Sequence, residues 1–227
     1  MAPSLSILGD SAVRIVWPGL SDELVFDQIR RALAALNAAG FQPGQLVPGF
    51  AALTVIFDDG LVNWNEQLQR IENILRNASA TAVSAAGRCV RIPVCFSPEF
   101  APDLPLLLER TGLSEADCIE QFTSLIFQVR MIGFAPGFPY LAGLPASMGL
   151  PRRATPRLQV PAGSVAIGGN QTGIYPQLSP GGWNLIGRTP VRLFDPLSET
   201  PCLLNPADSV QFFAITKNAS DSWQFDA

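Results

Sequence analysis

The sequence predicts an α+β protein of two domains, an N-terminal ferredoxin-like α/β sandwich at residues 1–87 and a C-terminal β-barrel domain at 88–227. In the first domain, two segments with apolar residues at helical spacing alternate with short apolar segments typical of strands. In the second, many short apolar segments are separated by glycine and proline, which favours a small closed barrel. With 48% hydrophobic residues, the chain can bury a sizeable core.

The N-terminal domain shows its elements through the spacing of its apolar residues. Apolar segments at 5–8 and 12–17 flank a Gly-Asp-Ser turn signal, and residues 52–57 form a third apolar run, so three strands are predicted. Two sets of residues have helical spacing: Phe26, Ile29, Leu33 and Leu36, then Trp64, Leu68, Ile71 and Leu75. Acidic residues in its first turn and Gly40 after its last turn mark the limits of the first helix.

The C-terminal domain begins with an alternating strand pattern at residues 88–96, followed by a helical connector at 97–124. In the connector, Ser114 is followed three positions later by Asp117, the spacing of a capping box, so a helix is predicted to start there. The apolar run at 125–134 predicts a buried strand.

Glycine and proline dominate the chain beyond this strand. Three prolines exclude a helix at residues 133–145, because each removes a backbone donor and restricts φ. Residues 160–176 supply two short apolar segments around a Gly-Gly-Asn turn, and residues 179–190 repeat the arrangement. Apolar segments at 191–194 and 209–215 complete the strands of the predicted barrel.

The charges of this chain are distributed unevenly. Between Gln121 and Phe194 there is no aspartate or glutamate, yet there are six arginines, in a chain whose net charge is -4. Such a distribution favours an anion-binding face, and the planar guanidinium suits carboxylate and phosphate oxygens. The alternative is that several of these arginines pair with acidic side chains elsewhere in the chain.

Absent residue types limit the possible chemistry. Without histidine, the chain cannot contain a Ser-His-Asp or Cys-His nucleophile system or a Cys/His zinc site, and no metal ligands are evident. No catalytic residue is assigned. The four cysteines lack CxxC spacing and are expected to be reduced thiols in a cytoplasmic protein. A membrane span is not expected, and neither is nucleic-acid binding, because the basic residues are few.

Candidate pocket residues lie among the glycines and prolines. Tyr140 and Tyr175 are beside prolines, and Trp183 follows a Gly-Gly pair. Aromatic side chains beside rigid turns commonly line pockets, although packing over the end of the barrel is an equally physical interpretation. The pair Gly168-Gly169 would let backbone amides approach a ligand, but its pattern is neither a phosphate loop nor GxGxxG.

Four long segments carry a family resemblance: "GFAPGFPYLAGLP", "PRRATPRLQVPAGSVAIGGNQTGIYP", "SPGGWNLIGRTP" and "LFDP". Together they resemble the subunit 1 family of allophanate hydrolase-type carboxyltransferase proteins, which includes the B subunit of bacterial ATP-dependent 5-oxoprolinase and the KipI inhibitor of a sporulation histidine kinase. The resemblance implies that the barrel is cyclophilin-like. It also implies a partner, a subunit 2 homologue similar to the C subunit of 5-oxoprolinase. In 5-oxoprolinase a homologue of the A subunit and ATP complete the system.

For this chain the resemblance implies a subunit, inactive alone, of an ATP-dependent amidohydrolase that opens 5-oxoproline to glutamate. In this interpretation three sets of residues form the site: Arg152, Arg153, Arg157 and Arg188 hold anionic oxygens, Gly168, Gly169, Gln171 and Thr172 shape the pocket, and Tyr140 and Tyr175 wall it. Relatives carry a histidine in the helix before the first motif, and the spacing places Phe122 at that position.

Two alternative functions remain at this stage. One is a KipI-like inhibitor that docks on a sensor histidine kinase, which would need an exposed apolar rim around Phe134, Phe138 and Leu141. The other is a subunit of a urea or allophanate carboxyltransferase system.

Overall fold

The computed structural model of the chain describes residues 2–58, 63–77 and 87–223. Two compact units are present, Met1–Ala85 and Ala86–Ala227. In the described parts of the chain, no helix is both long and apolar enough to cross a membrane.

The N-terminal unit contains a four-stranded antiparallel sheet and two helices. Its elements, in chain order, are β1 (Ser4–Leu8), β2 (Ala12–Val16), α1 (Asp22–Ala38), β3 (Gln45–Pro48), β4 (Leu53–Ile56) and α2 (Trp64–Asn77). The strand order is β1-β2-β4-β3. Apolar residues of α1, α2, β2 and β4 form one buried core, which confirms the predicted helical spacing and the alternation within the strands.

The ferredoxin-like order that the sequence suggested for this unit is not confirmed. That order is β-α-β-β-α-β, whereas the described elements run β-β-α-β-β-α. The edge position next to β2 is taken by β1, the preceding arm of a hairpin, rather than by a strand that follows α2. Strand β3 was not predicted, because its sequence Gln-Leu-Val-Pro is short and ends in proline.

The C-terminal unit is built on a closed barrel, in accord with the predicted cyclophilin-like barrel. Its described strands are β5 (Cys89–Cys95), β6 (Ile126–Ile132), β7 (Pro139–Ala142), β8 (Arg157–Val160), β9 (Ser164–Gly168), β10 (Gln171–Ile174), β11 (Ser179–Gly181), β12 (Asn184–Arg188) and β13 (Ser209–Ile215). Seven of them close the barrel in the order β10-β7-β6-β13-β5-β12-β9, and β8 pairs with β11 in a separate ribbon. The seam between β5 and β13 is parallel over seven residue pairs.

The predicted connector forms two helices, α3 (Leu104–Thr111) and α4 (Glu115–Ser124). Helix α3 ends at Gly112, whose φ of 69° suits glycine. Helix α4 starts as predicted, with the Ser114 side chain accepting a hydrogen bond from the backbone amide of Asp117. A short helix, α5 (Lys217–Asp221), follows the last strand.

The two faces of β9 separate two apolar clusters. Val165 and Ile167 belong to the interior of the barrel, whereas Ala166 belongs to a second cluster on the opposite face. Because side chains alternate along a strand, the second cluster lies outside the barrel wall. This outer face contains most of the predicted site residues.

Candidate functional site

The outer cluster is a group of interlocking aromatic rings. The Phe138 ring centroid lies 5.2 Å from that of Tyr175 and 5.6 Å from that of Trp183. The Tyr140 ring lies 5.7 Å from Trp183, again edge to face. These are favourable geometries for aromatic quadrupoles, so the rings form a rigid wall. The sequence interpretation in which the aromatic residues pack over the barrel is therefore correct for Tyr175 and Trp183, which are buried, whereas Tyr140 is half-buried.

Gly168 is required by this wall. A Cβ atom at Gly168 would lie 2.6 Å from the Trp183 ring, closer than real side-chain contacts allow. Gly169 has a φ of 66° in the turn between β9 and β10, and its amide donates to the carbonyl of Leu150. The two glycines therefore shape the surface by packing and by the turn.

Both tyrosine hydroxyls are proton donors at neutral pH. Burial raises the pKa of Tyr140, and the nearby positive charge of Arg152 only partly opposes that effect. Burial likewise raises the pKa of Tyr175, which also has a backbone hydrogen bond with Trp183. The guanidinium of Arg152 lies over the Trp183 ring, 5.7 Å from its centroid, so a cation stands at the edge of the aromatic wall.

Arg153 and Arg157 converge on one buried carboxylate, that of Asp103. Arg153 Nη1 donates to Asp103 Oδ1 at 3.1 Å, and Arg157 Nη2 donates to the same oxygen at 2.9 Å. Asp103 Oδ2 accepts from the backbone amide of Leu185 at 2.7 Å. The predicted alternative, that some arginines pair with acidic side chains elsewhere in the chain, is thus correct for this pair.

Arg188 lies at the end of β12, next to a cavity. Its Nε donates to the carbonyl of Ala162 at 2.9 Å, and its guanidinium lies 5.5 Å from the Phe100 ring centroid. A cavity of about 200 Å³ has both Arg157 and Arg188 in its lining. Two predicted anion-binding arginines therefore reach one concave site, while Arg152 stands over Trp183 and Arg153 pairs with Asp103.

The other predicted pocket residues do not line this cavity. Thr172 is fully buried and pairs with Ile167 and Leu141, two residues of the barrel interior, so its side chain faces inward. Gln171 is half-buried and pairs with Gly168. The cavity lining includes instead Gln159 and Ser164, which the sequence analysis did not single out. The alternation along β8 from Arg157 to Gln159 is the signal that could have identified Gln159.

Phe122, at the position expected for a family histidine, lies in the barrel core. It is 1% exposed, and its ring stacks on Phe212 at 5.3 Å with Phe127 also 5.3 Å away. The expectation that this position faces a shared reaction site is therefore wrong for this chain. Helix α4 directs the side chain into the apolar interior.

The apolar rim expected for a kinase-docking inhibitor is not formed by the three residues named for it. Phe138 and Leu141 are buried, and only Phe134 is exposed, to 61%. Phe134 has a φ of 68°, unusual for a bulky residue, and its ring packs edge-on against Phe138 at 5.3 Å. Within the described residues, no cluster of three or more cysteine and carboxylate side chains could hold a metal ion.

The chain matches the family model described as carboxyltransferase domain, subdomain C and D, over residues 3–204. It is 39% identical over 222 residues to the B subunit of 5-oxoprolinase from Bacillus subtilis (strain 168), an alignment that covers 92% of both chains. The B subunit of 5-oxoprolinase from Escherichia coli O157:H7 is 43% identical over 168 residues, covering 74% of this chain and 76% of the relative.

Among solved structures, the crystal structure of TTHA0988 is similar to this chain with a TM-score of 0.71 and 36% identity. The match covers 90% of this chain and 40% of the other. The fold described above therefore recurs as one part of a longer polypeptide.

Proposed function

This chain belongs to the family of carboxyltransferase domains, subdomains C and D, and from that membership we propose that it is the B subunit of an ATP-dependent 5-oxoprolinase. The observation that carries the proposal is its similarity, over nearly the full length of both chains, to proteins that bear this name. In the proposed activity, the lactam of 5-oxoproline is opened to glutamate by a complex that also contains A and C-like subunits, in the cytoplasm.

The chemistry of the site is compatible with an anionic amide substrate. 5-Oxoproline carries a carboxylate and a lactam, and Arg157 and Arg188 place two guanidinium groups beside one cavity. Tyr140 is half-buried next to Arg152 and stays protonated at neutral pH, so it is the better placed of the two tyrosines to donate a hydrogen bond or a proton. Tyr175 is only 2% exposed and supports the wall.

ATP, when bound in the assembled complex, supplies the phosphoryl group that makes the lactam carbonyl electrophilic. This chain contributes binding and orientation, since it has no histidine for proton transfer. An incomplete set of proton-transfer residues is expected of a chain that shares its site with a partner. A histidine-kinase inhibitor is not proposed, because the apolar rim it would need is largely buried.

The proposal is tested by reconstitution. The chain is purified with the A and C-like subunits encoded near it, and glutamate and ADP are measured with 5-oxoproline as substrate. We expect glutamate formation that requires ATP and all three chains. Arg157→Ala should lower kcat/KM by about ten- to a hundredfold, the loss typical of a charge-assisted hydrogen bond. Arg110→Ala, an exposed arginine at the end of α3, is the matched control.

An assembled complex without lactam-dependent ATP hydrolysis would refute the proposal. The family description favours one second candidate, a subunit of a urea or allophanate carboxyltransferase system. In that case the same preparation would act on urea or a related amide only with a biotin-bearing carrier protein present.

A further inference from the structure

The cavity beside Arg157 and Arg188 has the features of a built ligand site. It lies where β8, β9 and β12 meet the segment that precedes α3. Its polar lining consists of Glu99, Arg157, Gln159, Ser164 and Arg188. Its volume of about 200 Å³ suits a small metabolite rather than a peptide.

Arg157 is held from behind and has donor capacity to spare. Its Nη1 lies 2.9 Å from Asp103 Oδ2, yet this buried nitrogen makes no hydrogen bond to any described residue. The buried Nε of Arg153 is in the same situation. Buried donors without acceptors are costly, so an additional acceptor at this cluster would be stabilising.

Arg188 is also fixed before any ligand arrives. Its Nε is used by the carbonyl of Ala162, and its planar group stacks on Phe100. Among the described residues, its two terminal nitrogens have no acceptor. A guanidinium whose position is already set loses little conformational entropy when it binds an oxyanion.

The local charge specifies the charge of the ligand. In the lining and directly behind it stand four cations and three carboxylates: Arg153, Arg157, Arg188 and Lys217, with Glu99, Asp103 and Asp221. The excess is a single positive charge. A singly charged anion would neutralise the site, whereas a doubly charged phosphate would leave an excess negative charge beside Glu99.

We propose that this cavity binds the carboxylate of a small, singly charged amide acid between Arg157 and Arg188. Gln159 and Ser164 provide neutral hydrogen-bonding groups for the amide, and Arg153 is a positioning residue that shares Asp103 with Arg157. The natural ligand, 5-oxoproline, rests on the proposed function; the preference for a monoanionic carboxylate rests on the cavity alone.

The test is direct binding to the full chain, followed by ligand-observed NMR titration. The probes are 5-oxoproline, N-acetylglycine, 2-pyrrolidinone (the lactam without a carboxylate) and inorganic phosphate. Both amide acids should bind saturably, and 2-pyrrolidinone and phosphate should bind at least about tenfold more weakly, the factor expected from one lost charge-assisted interaction. Equal binding of 2-pyrrolidinone, tighter binding of phosphate, or no saturable binding of either acid would overturn the proposal.

A variant pair ties the binding to the cavity. Arg188→Met keeps an apolar stem over Phe100 and removes the charge, so it should weaken binding of both acids by about ten- to a hundredfold. Arg110→Ala should bind like the parent chain, and thermal unfolding should show that both variants are folded. Parent-like binding by a folded Arg188→Met would refute the assignment.

The two proposals fail in different ways. If both acids bind and binding is lost in Arg188→Met, but the assembled complex does not open 5-oxoproline, the site stands and the proposed function falls. If the complex opens 5-oxoproline and Arg188→Met leaves KM unchanged, the function stands and this site is wrong.

Discussion

Arg157 and Asp103 are 54 positions apart in the sequence, yet two guanidinium nitrogens of Arg157 each lie 2.9 Å from a different oxygen of the Asp103 carboxylate. The carboxylate is 4% exposed and also accepts from Arg153 and from the Leu185 amide. One buried acid thus ties α3, β8 and β12 together. It compensates one of the two arginine charges and leaves the other for a ligand.

Asp103→Asn should lower the free energy of unfolding by about 3 kcal/mol, because it leaves two arginines without their buried counter-charge. Urea unfolding measures the change. The control is Asp195→Asn, which removes an exposed partner of Arg192 and should cost less than about 1 kcal/mol. Equal effects of the two substitutions would show that the Asp103 cluster adds little stability.

Phe122→His should destabilise the chain by about 3 kcal/mol, since it replaces a buried ring among Phe127 and Phe212 with a polar one. Burial disfavours the imidazolium, so the folded-state pKa of the new side chain should lie below its usual value of about 6.5. The stability deficit should therefore be larger at pH 5 than at pH 8. Phe122→Leu, which keeps the core apolar, should show no such pH dependence, and a Phe122→Leu profile that matched Phe122→His would contradict this account.

Phe134→Gly should be more stable than Phe134→Ala by about 1 kcal/mol, the reverse of the usual order. The φ of 68° at this position costs any L-residue energy, and glycine escapes that cost. Leu158, an exposed residue of β8, provides the comparison. At Leu158 alanine should be the more stable replacement, and the same order at both positions would argue against strain at Phe134.

The free energy of unfolding should fall as the pH rises above about 10. Burial raises the folded-state pKa of Tyr140 and Tyr175, so the folded chain keeps protons that the unfolded chain has released. The stabilisation is complete below the unfolded pKa and is lost as the pH rises through the folded pKa. Each such proton contributes a slope of up to about 1.4 kcal/mol per pH unit.

The chain has two tyrosines, so the double variant Tyr140→Phe and Tyr175→Phe removes all tyrosine titration. Its stability should decline less steeply than that of the parent above pH 10. Parallel pH profiles would mean that the hydroxyls titrate alike in the folded and unfolded chains.

Local patterns were sufficient for most of the fold. Helices α1 and α2 follow from apolar spacing, and the start of α4 follows from Ser114 and Asp117, because each signal lies within a few neighbouring residues. Strand β3 lacks such a signal, since its pairing with β4 stabilises a segment of low strand propensity.

The candidate site depends on contacts between distant parts of the chain, and those were harder to predict. The arginines were identified by their number, but only folding shows that Asp103, in the helical connector, partners two of them. Thr172 was placed at a pocket because it follows a Gly-Gly-Asn turn. The pairing of β10 with β7 and β9 directs it into the barrel instead.

The parallel seam between β5 and β13 has a consequence for any attempt to shorten or rewire the C-terminal unit. The strand that begins the barrel is held by the strand that ends it, so deletion of residues 209–215 would expose the edges of both β5 and β6. Because the two strands run in the same direction, the end of β13 lies beside the end of β5 and not beside its start. A circularly permuted barrel would therefore need a linker that travels back along seven residues of strand, about 23 Å, before it could rejoin β5.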